Sequence, residues 1–229
     1  FDVMKMVQDE SQKKNTRFAV VDMKIYDKKD RERRRYFNYW TKYKEDREDS
    51  LIKFFRPKNV KGTSLLTNTE KKADTKSQWI YLPAFKSLKR LSSSDKNKSF
   101  MGSDFTYSDI AGRKLTQDEH KLIKETDKYY YIESTPTKNV EDAIYQKIRY
   151  VISKEHHIVN KAIFYSLKGE KLKTLSTTKV AVVNEVNVVM NSIMNNHKTK
   201  GKTVLNVQSM EVGIDIDDDL LSIKGLKSQ

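Results

Sequence analysis

Four histidines are the side chains best suited to hold a transition metal or shuttle a proton, and only His156 and His157 are adjacent. Neighbours in an extended strand point to opposite faces, so the pair cannot both reach one ion. They read as surface histidines at a polar strand break, and His120 and His197 are isolated. Asp215, Asp217, Asp218 and Asp219 begin like a calcium loop, but Leu220 stands at the sixth position, where glycine makes the turn, and Leu226 at the twelfth, where glutamate closes the shell. Capping of a terminal turn explains them better. Ser92-Ser93-Ser94-Asp95 offers hydroxyls without a strand-to-helix elbow or a matched base. Gly62 and Gly102 are single glycines, not a phosphate-binding loop. The chain has no cysteine, which removes thiol nucleophiles, disulfides and thiolate metal sites. No catalytic residue, metal or cofactor is expected.

Basic residues make the stronger pattern. Lys28-Lys29-Asp30-Arg31-Glu32-Arg33-Arg34-Arg35 runs directly into Tyr36, Phe37, Tyr39 and Trp40. Cations interleaved with aromatics suit a nucleic-acid groove, which gives a basic nucleic-acid-binding protein as one reading. The same alternation along a strand makes a solvated sheet face, and cations equally attract anionic lipid headgroups at a membrane surface. Across 229 residues, 45 Lys and Arg stand against 31 Asp and Glu, a net charge of +14 that does not separate these readings.

The elements that would position such residues are mainly strands. Ala19, Val21, Met23 and Ile25 share one face of an extended segment from Phe18 to Tyr26, with Asp22 and Lys24 on the other. Phe37, Tyr39, Thr41 and Tyr43 alternate in the same way, and strands follow at Leu51–Phe55, Ser77–Leu82 and Ser87–Leu91. The second half predicts Lys128–Ser134, Tyr145–Ser153, Ile158–Leu167 and Lys171–Thr178, the last two joined by a hairpin at Gly169. A closing hairpin pairs Val182–Met194, whose composition also suits a helix, with Thr203–Ile214. Helices are short: one carrying Phe1, Met4 and Val7 on one face, one from a Ser103-Asp104 cap to Gly112, and a terminal turn capped by Asp218 and Asp219. With 37% hydrophobic residues, 7 Gly and 3 Pro, the chain has neither a membrane-spanning apolar stretch nor a long linker. One domain over residues 1–229 is expected, of mainly β (α+β) class, with one curved antiparallel sheet and helices on one face.

Three strings carry a resemblance: FFRPKNVKGTSLL at 54–66, WIYLPAFKSLKRLSSS at 79–94 and KSFMGSDFTYSDI at 98–110. In this order, with Glu133-Ser134-Thr135-Pro136, Tyr145-Gln146-Lys147 and Phe164-Tyr165 following, the chain resembles the periplasmic outer-membrane lipoprotein-sorting-protein family of the LolA-like superfamily. The resemblance implies an incomplete antiparallel β-barrel closed by short helices over an apolar cavity for acyl chains. It also implies a periplasmic protein of a Gram-negative-type envelope, exported behind a signal peptide, that carries lipid or lipoprotein for outer-membrane sorting. The alternative it offers is an accessory or sensor subunit of an RND-type lipid exporter; neither role is enzymatic, and nucleic acid is then not an expected partner. Cavity and lid candidates are Met4, Val7, Phe100, Met101, Phe105, Tyr107 and Ile110, with Met23, Tyr39, Trp79 and Tyr81 on the sheet and Arg90 beside a headgroup.

Overall fold

A computed structural model describes residues 2–71, 75–137 and 143–227. Strand β1 (Thr16–Tyr26) buries the expected Ala19, Val21, Met23 and Ile25. An antiparallel meander continues through β2 (Glu32–Tyr43), β3 (Arg47–Arg56), β4 (Ser64–Glu70), β5 (Thr75–Leu82) and β6 (Ser87–Arg90). A second meander comprises β7 (Asp118–Glu125), β8 (Tyr129–Pro136), β9 (Lys147–Ser153), β10 (Val159–Tyr165), β11 (Lys171–Val183), β12 (Val186–Asn196) and β13 (Lys202–Val212). Pairing of β13 with β1 joins the two. Among the described residues this gives one thirteen-stranded sheet in the order β6-β5-β4-β3-β2-β1-β13-β12-β11-β10-β9-β8-β7, curved but unclosed.

That order imposes a constraint. Strands β6 and β7 are consecutive in the chain yet occupy opposite edges, so residues 91–117 must cross the open side of the half-barrel. This crossing segment holds two short helices, α2 (Ser93–Lys96) and α3 (Tyr107–Ala111), after an N-terminal α1 (Val3–Gln12) and before a C-terminal α4 (Ile223–Lys227). Each of α2 and α3 begins with a capping box, Ser92 with Asp95 and Thr106 with Asp109, which satisfies amides that so short a helix cannot. Phe100 and Phe105 drop from the crossing segment onto the concave face. Phe100 meets Phe54 at 5.7 Å and lies edge-on to Phe37 and Tyr107 at 6.5 and 5.5 Å between centroids.

The convex face has its own cover. Leu51, Leu66 and the rings of Trp40, Trp79 and Tyr81 pack against Ile216, Leu221 and Leu226 of the C-terminal segment. Strand parity requires this split: Ile80 faces the concave core, so Trp79 and Tyr81 cannot.

Several boundaries differ from expectation for identifiable reasons. Strand β4 buries successive residues on both faces and β7 is a polar edge strand, so neither alternates as a half-buried strand should. The strand expected from Val182 to Met194 is interrupted by Asn184 and Glu185, both at positive φ, forming a two-residue hairpin turn without glycine. Helix α3 starts after Thr106 rather than Ser103-Asp104, although Gly112 closes it as expected. Phe1 lies outside the described residues.

The crossing segment is fastened electrostatically. Asp109 of α3 accepts hydrogen bonds from the Tyr145 hydroxyl and from Lys173 Nζ, both at 2.7 Å, and from the Thr106 amide. The side chains of Lys173 and Asp109 are only 7% and 5% exposed. Removing one member of such a pair strands a buried charge, at a cost of about 3–5 kcal/mol. Lys173→Met is therefore expected to lose about that much stability in urea unfolding, and Asp109→Asn/Lys173→Met to recover part of it, since the amide oxygen still accepts from Tyr145 or Thr106 without a buried charge. A near-neutral Lys173→Met would show that the pair does not fasten the segment.

Candidate functional site

The crossing segment fills the concavity unevenly. At the end where Phe100 sits, the half-barrel is packed; toward the other end, two adjoining chambers lie under α1 and beside α3. The outer chamber has a volume of about 530 Å³ and the inner about 440 Å³, each within the roughly 300–1,000 Å³ typical of small-molecule sites. Val7, Ser11, Tyr43 and Val159 line both, so the chambers adjoin along these residues.

The two differ in chemistry. Apolar groups dominate the inner chamber: Ala19, Phe105, Ile110, Leu175, Leu205 and Met210, with the ring of Tyr39. Lys71, Lys76, Arg113 and Lys114 give the outer chamber its cations, and Glu48 and Asp118 its acids. Arg113 donates to both oxygens of Asp118, at 2.6 and 2.7 Å, which neutralises that carboxylate. Burial pushes the Glu48 carboxyl above its usual range. Burial likewise lowers the Lys76 ammonium to about 8, against the opposing pull of Glu48. Lys76 Nζ donates to the carbonyls of Ala111 and Gly112 at 2.6 and 2.8 Å, capping the C-terminus of α3.

Helix α1 roofs both chambers. Asp2 caps it by accepting from the Met4 and Lys5 amides. Val3 and Met4 hold its first turn on Ile132 and Ile152. Glu10, buried near the other end, accepts from the Asn187 amide and side chain at 2.8 and 3.0 Å and pairs with Lys13. Burial alone would raise the Glu10 pKa, but these donors together hold it below the ordinary value. Arg17 of β1 donates to the Glu10 carbonyl at 3.0 Å, and its buried Nε has no partner among the described residues.

Of the residues expected at a cavity, Val7, Tyr39, Phe105 and Ile110 line the inner chamber, and Met4 and Val7 the outer. Met23 and Phe100 are fully buried in the concave core, with Met101 and Tyr107 packed against it. Trp79 and Tyr81 are corrected to the convex face, under the C-terminal segment. Arg90 is corrected with them: it is exposed, stacks 5.7 Å from the Trp79 ring and donates to Ser77. Sequence reading missed Arg17 and Tyr43, although their parity with Ala19 and Tyr39 puts them on the concave face. It also missed Leu175, which pairs with the concave Ala162. Glu48 and Lys76 flank Thr69 in one row of β3, β4 and β5, which shows only once β4 is in place, and the crossing segment brings Arg113 to them.

The basic run is largely balanced where it lies. Arg31 pairs with Asp27, Arg34 with Asp22 and Glu32, and Arg33 donates to the Gly102 carbonyl. His156 and His157 sit in the turn after β9, and the described residues contain no cluster arranged to hold a metal.

A family model described as uncharacterized protein matches residues 46–228. Three solved structures are similar over nearly their whole length. A domain from Vibrio parahaemolyticus described as an outer membrane lipoprotein-sorting protein is 25% identical, with a TM-score of 0.89 and 98% of each chain covered. A DUF1329 family protein from Desulfovibrio piger is 22% identical, with a TM-score of 0.88 over 98% of this chain and 97% of the other. A LolA superfamily protein from Nitrosomonas europaea is 19% identical, with a TM-score of 0.74 over 97% and 98%. No curated protein matches the sequence. The resemblance seen in the three strings is thus borne out, and with it the half-barrel fold.

The state of Lys76 is directly measurable. Between about pH 8 and its ordinary 10.5, the unfolded chain binds a proton at Lys76 that the folded chain does not, so this contribution to stability rises with pH across that window. In lysine-labelled NMR the Lys76 ε-carbon is expected to titrate near pH 8, and wild type should gain stability relative to Lys76→Met as pH rises through the window. An ordinary lysine midpoint would contradict the buried placement.

Proposed function

We propose, for a chain that belongs to the family matched over residues 46–228 and has the half-barrel of LolA superfamily proteins, that it is a periplasmic carrier of amphipathic lipid or of lipoprotein acyl chains. The LolA-like fold suggests a carrier role. The observation that supports a lipid cargo is the pair of adjoining chambers, one lined mainly by apolar groups and the other bearing Lys71, Lys76, Arg113 and Lys114.

Physical chemistry gives that division its meaning. Each methylene removed from water contributes about 0.8 kcal/mol, so about a dozen sheltered methylenes contribute roughly 10 kcal/mol. This is comparable to the roughly 4–15 kcal/mol that association costs in lost translational and rotational freedom. The inner chamber offers Ile110, Leu175, Leu205 and Met210 to such a chain, and the methionine adapts to its shape. An acidic headgroup would rest in the outer chamber near Lys76, Lys71 and Lys114. The α1 roof is the element that gives way on entry, since it bridges the chambers while its polar anchors cluster near one end, at Glu10. Such a carrier needs no catalytic group, only a lining that replaces the membrane around its cargo.

A fluorescent fatty acid titrated into the protein tests this reading. Saturable binding is expected, with anionic amphiphiles favoured over neutral ones. Leu175→Trp, which occupies inner-chamber volume, is expected to weaken binding about tenfold or more while leaving the melting temperature within a few degrees. Absent binding, or binding unchanged in Leu175→Trp, would contradict the proposal.

A further inference from the structure

In an up-and-down sheet every second turn lies at the same end of the barrel, so the strand order sorts the turns into two sets. One set comprises residues 27–31, 57–63, 83–86, 166–170 and 197–201, which carry nine Lys and Arg against three Asp and Glu. The other set comprises 13–15, 44–46, 126–128, 154–158, 184–185, the segment 213–219 and Lys71, with six Lys against nine Asp and Glu. These described turns thus carry a net +6 at one end of the barrel and −3 at the other.

The basic end also presents apolar tips. Phe85, in the 3-10 turn Pro83–Phe85 between β5 and β6, is 78% exposed, the highest value among the exposed large apolar side chains of the described residues. Leu167, at the turn between β10 and β11, is 64% exposed. The turn carrying Phe85 abuts the one carrying Lys58 and Lys61, since a Cβ on Gly62 would lie 3.2 Å from the Pro83 ring. Phe85 thus projects amid exposed Lys58, Lys61 and Lys86, with no acid in either turn. Lys168 flanks Leu167.

We infer that this end of the half-barrel docks on an anionic phospholipid bilayer, with Phe85 and Leu167 inserted at headgroup depth and the surrounding lysines on lipid phosphates. Two features select a bilayer over other anionic partners. An aromatic tip ringed by cations is what settles at the water–lipid boundary, where each nearby Lys or Arg adds attraction. The apolar tips also stand on separate turns instead of lining a groove that could stack bases. Docking is separate from cargo binding, so either can fail without the other.

Co-sedimentation with vesicles tests the inference. The protein should bind vesicles of phosphatidylcholine mixed with phosphatidylglycerol, release at high salt, and ignore phosphatidylcholine alone. Lys58→Glu/Lys86→Glu is expected to weaken binding at least about tenfold and Phe85→Ser severalfold, whereas Lys128→Glu at the acidic end should leave it unchanged. The double variant should still bind the fluorescent fatty acid, which separates lost docking from a lost cavity. Absent binding to the anionic vesicles, equal binding to neutral ones, or wild-type binding by Lys58→Glu/Lys86→Glu would overturn it. Wild-type binding by Phe85→Ser would overturn the insertion of that ring.

Discussion

The chain must return from one edge of an open sheet to the other. Because β6 and β7 lie at opposite edges, the connecting 91–117 segment has no course except across the concavity. What it fills becomes core, through Phe100 and Phe105. What it leaves becomes cavity. Asp109 sets the dividing line, since the buried ion pair with Lys173 and the Tyr145 hydroxyl hold α3 where Ile110 can wall the inner chamber. Lys76 then closes the end of that helix and faces the outer chamber with the same ammonium group. One buried polar network thus positions both halves of the candidate site, which makes it costly to remove and unsuited to drift.

Much of the sheet is legible in the sequence because half-buried strands alternate. The residues from Ala19 to Ile25 and from Phe37 to Tyr43 announce their faces, and parity alone carries Arg17, Tyr39 and Tyr43 into the concavity. The same rule places Trp79 and Tyr81 on the convex side, opposite Ile80, against the expectation that these large aromatics line a cavity. Strands β4 and β7 escaped for opposite reasons, one buried on both faces and the other charged along an edge. The polar part of the site was not legible, because Glu48 and Lys76 meet across β4, which alternation does not mark, and the crossing segment then brings Arg113 with its partner Asp118 alongside them.

Charge takes on a different meaning once the fold is known. The run from Lys28 to Arg35 looks like a continuous basic surface in sequence, yet Asp22, Asp27 and Glu32 balance much of it. The described turns at one end of the sheet, which include Lys28, Lys29 and Arg31, carry more bases than acids, while the acids of the C-terminal segment lie at the other end. Asp218 illustrates that end: hydrogen bonds from Lys42 and Lys44 hold its carboxyl down at about 2 and tie the C-terminal segment to the sheet.

The central claim is that the chambers under α1 hold an amphipathic lipid. Native mass spectrometry of freshly purified protein, followed by organic extraction and lipid analysis, tests it most directly. The account predicts a bound species in the mass range of a phospholipid or acylated molecule, recovered in the extract and depleted in Leu175→Trp. Protein that flies only at the mass of the bare chain, yields no lipid on extraction and takes up none when offered would contradict it.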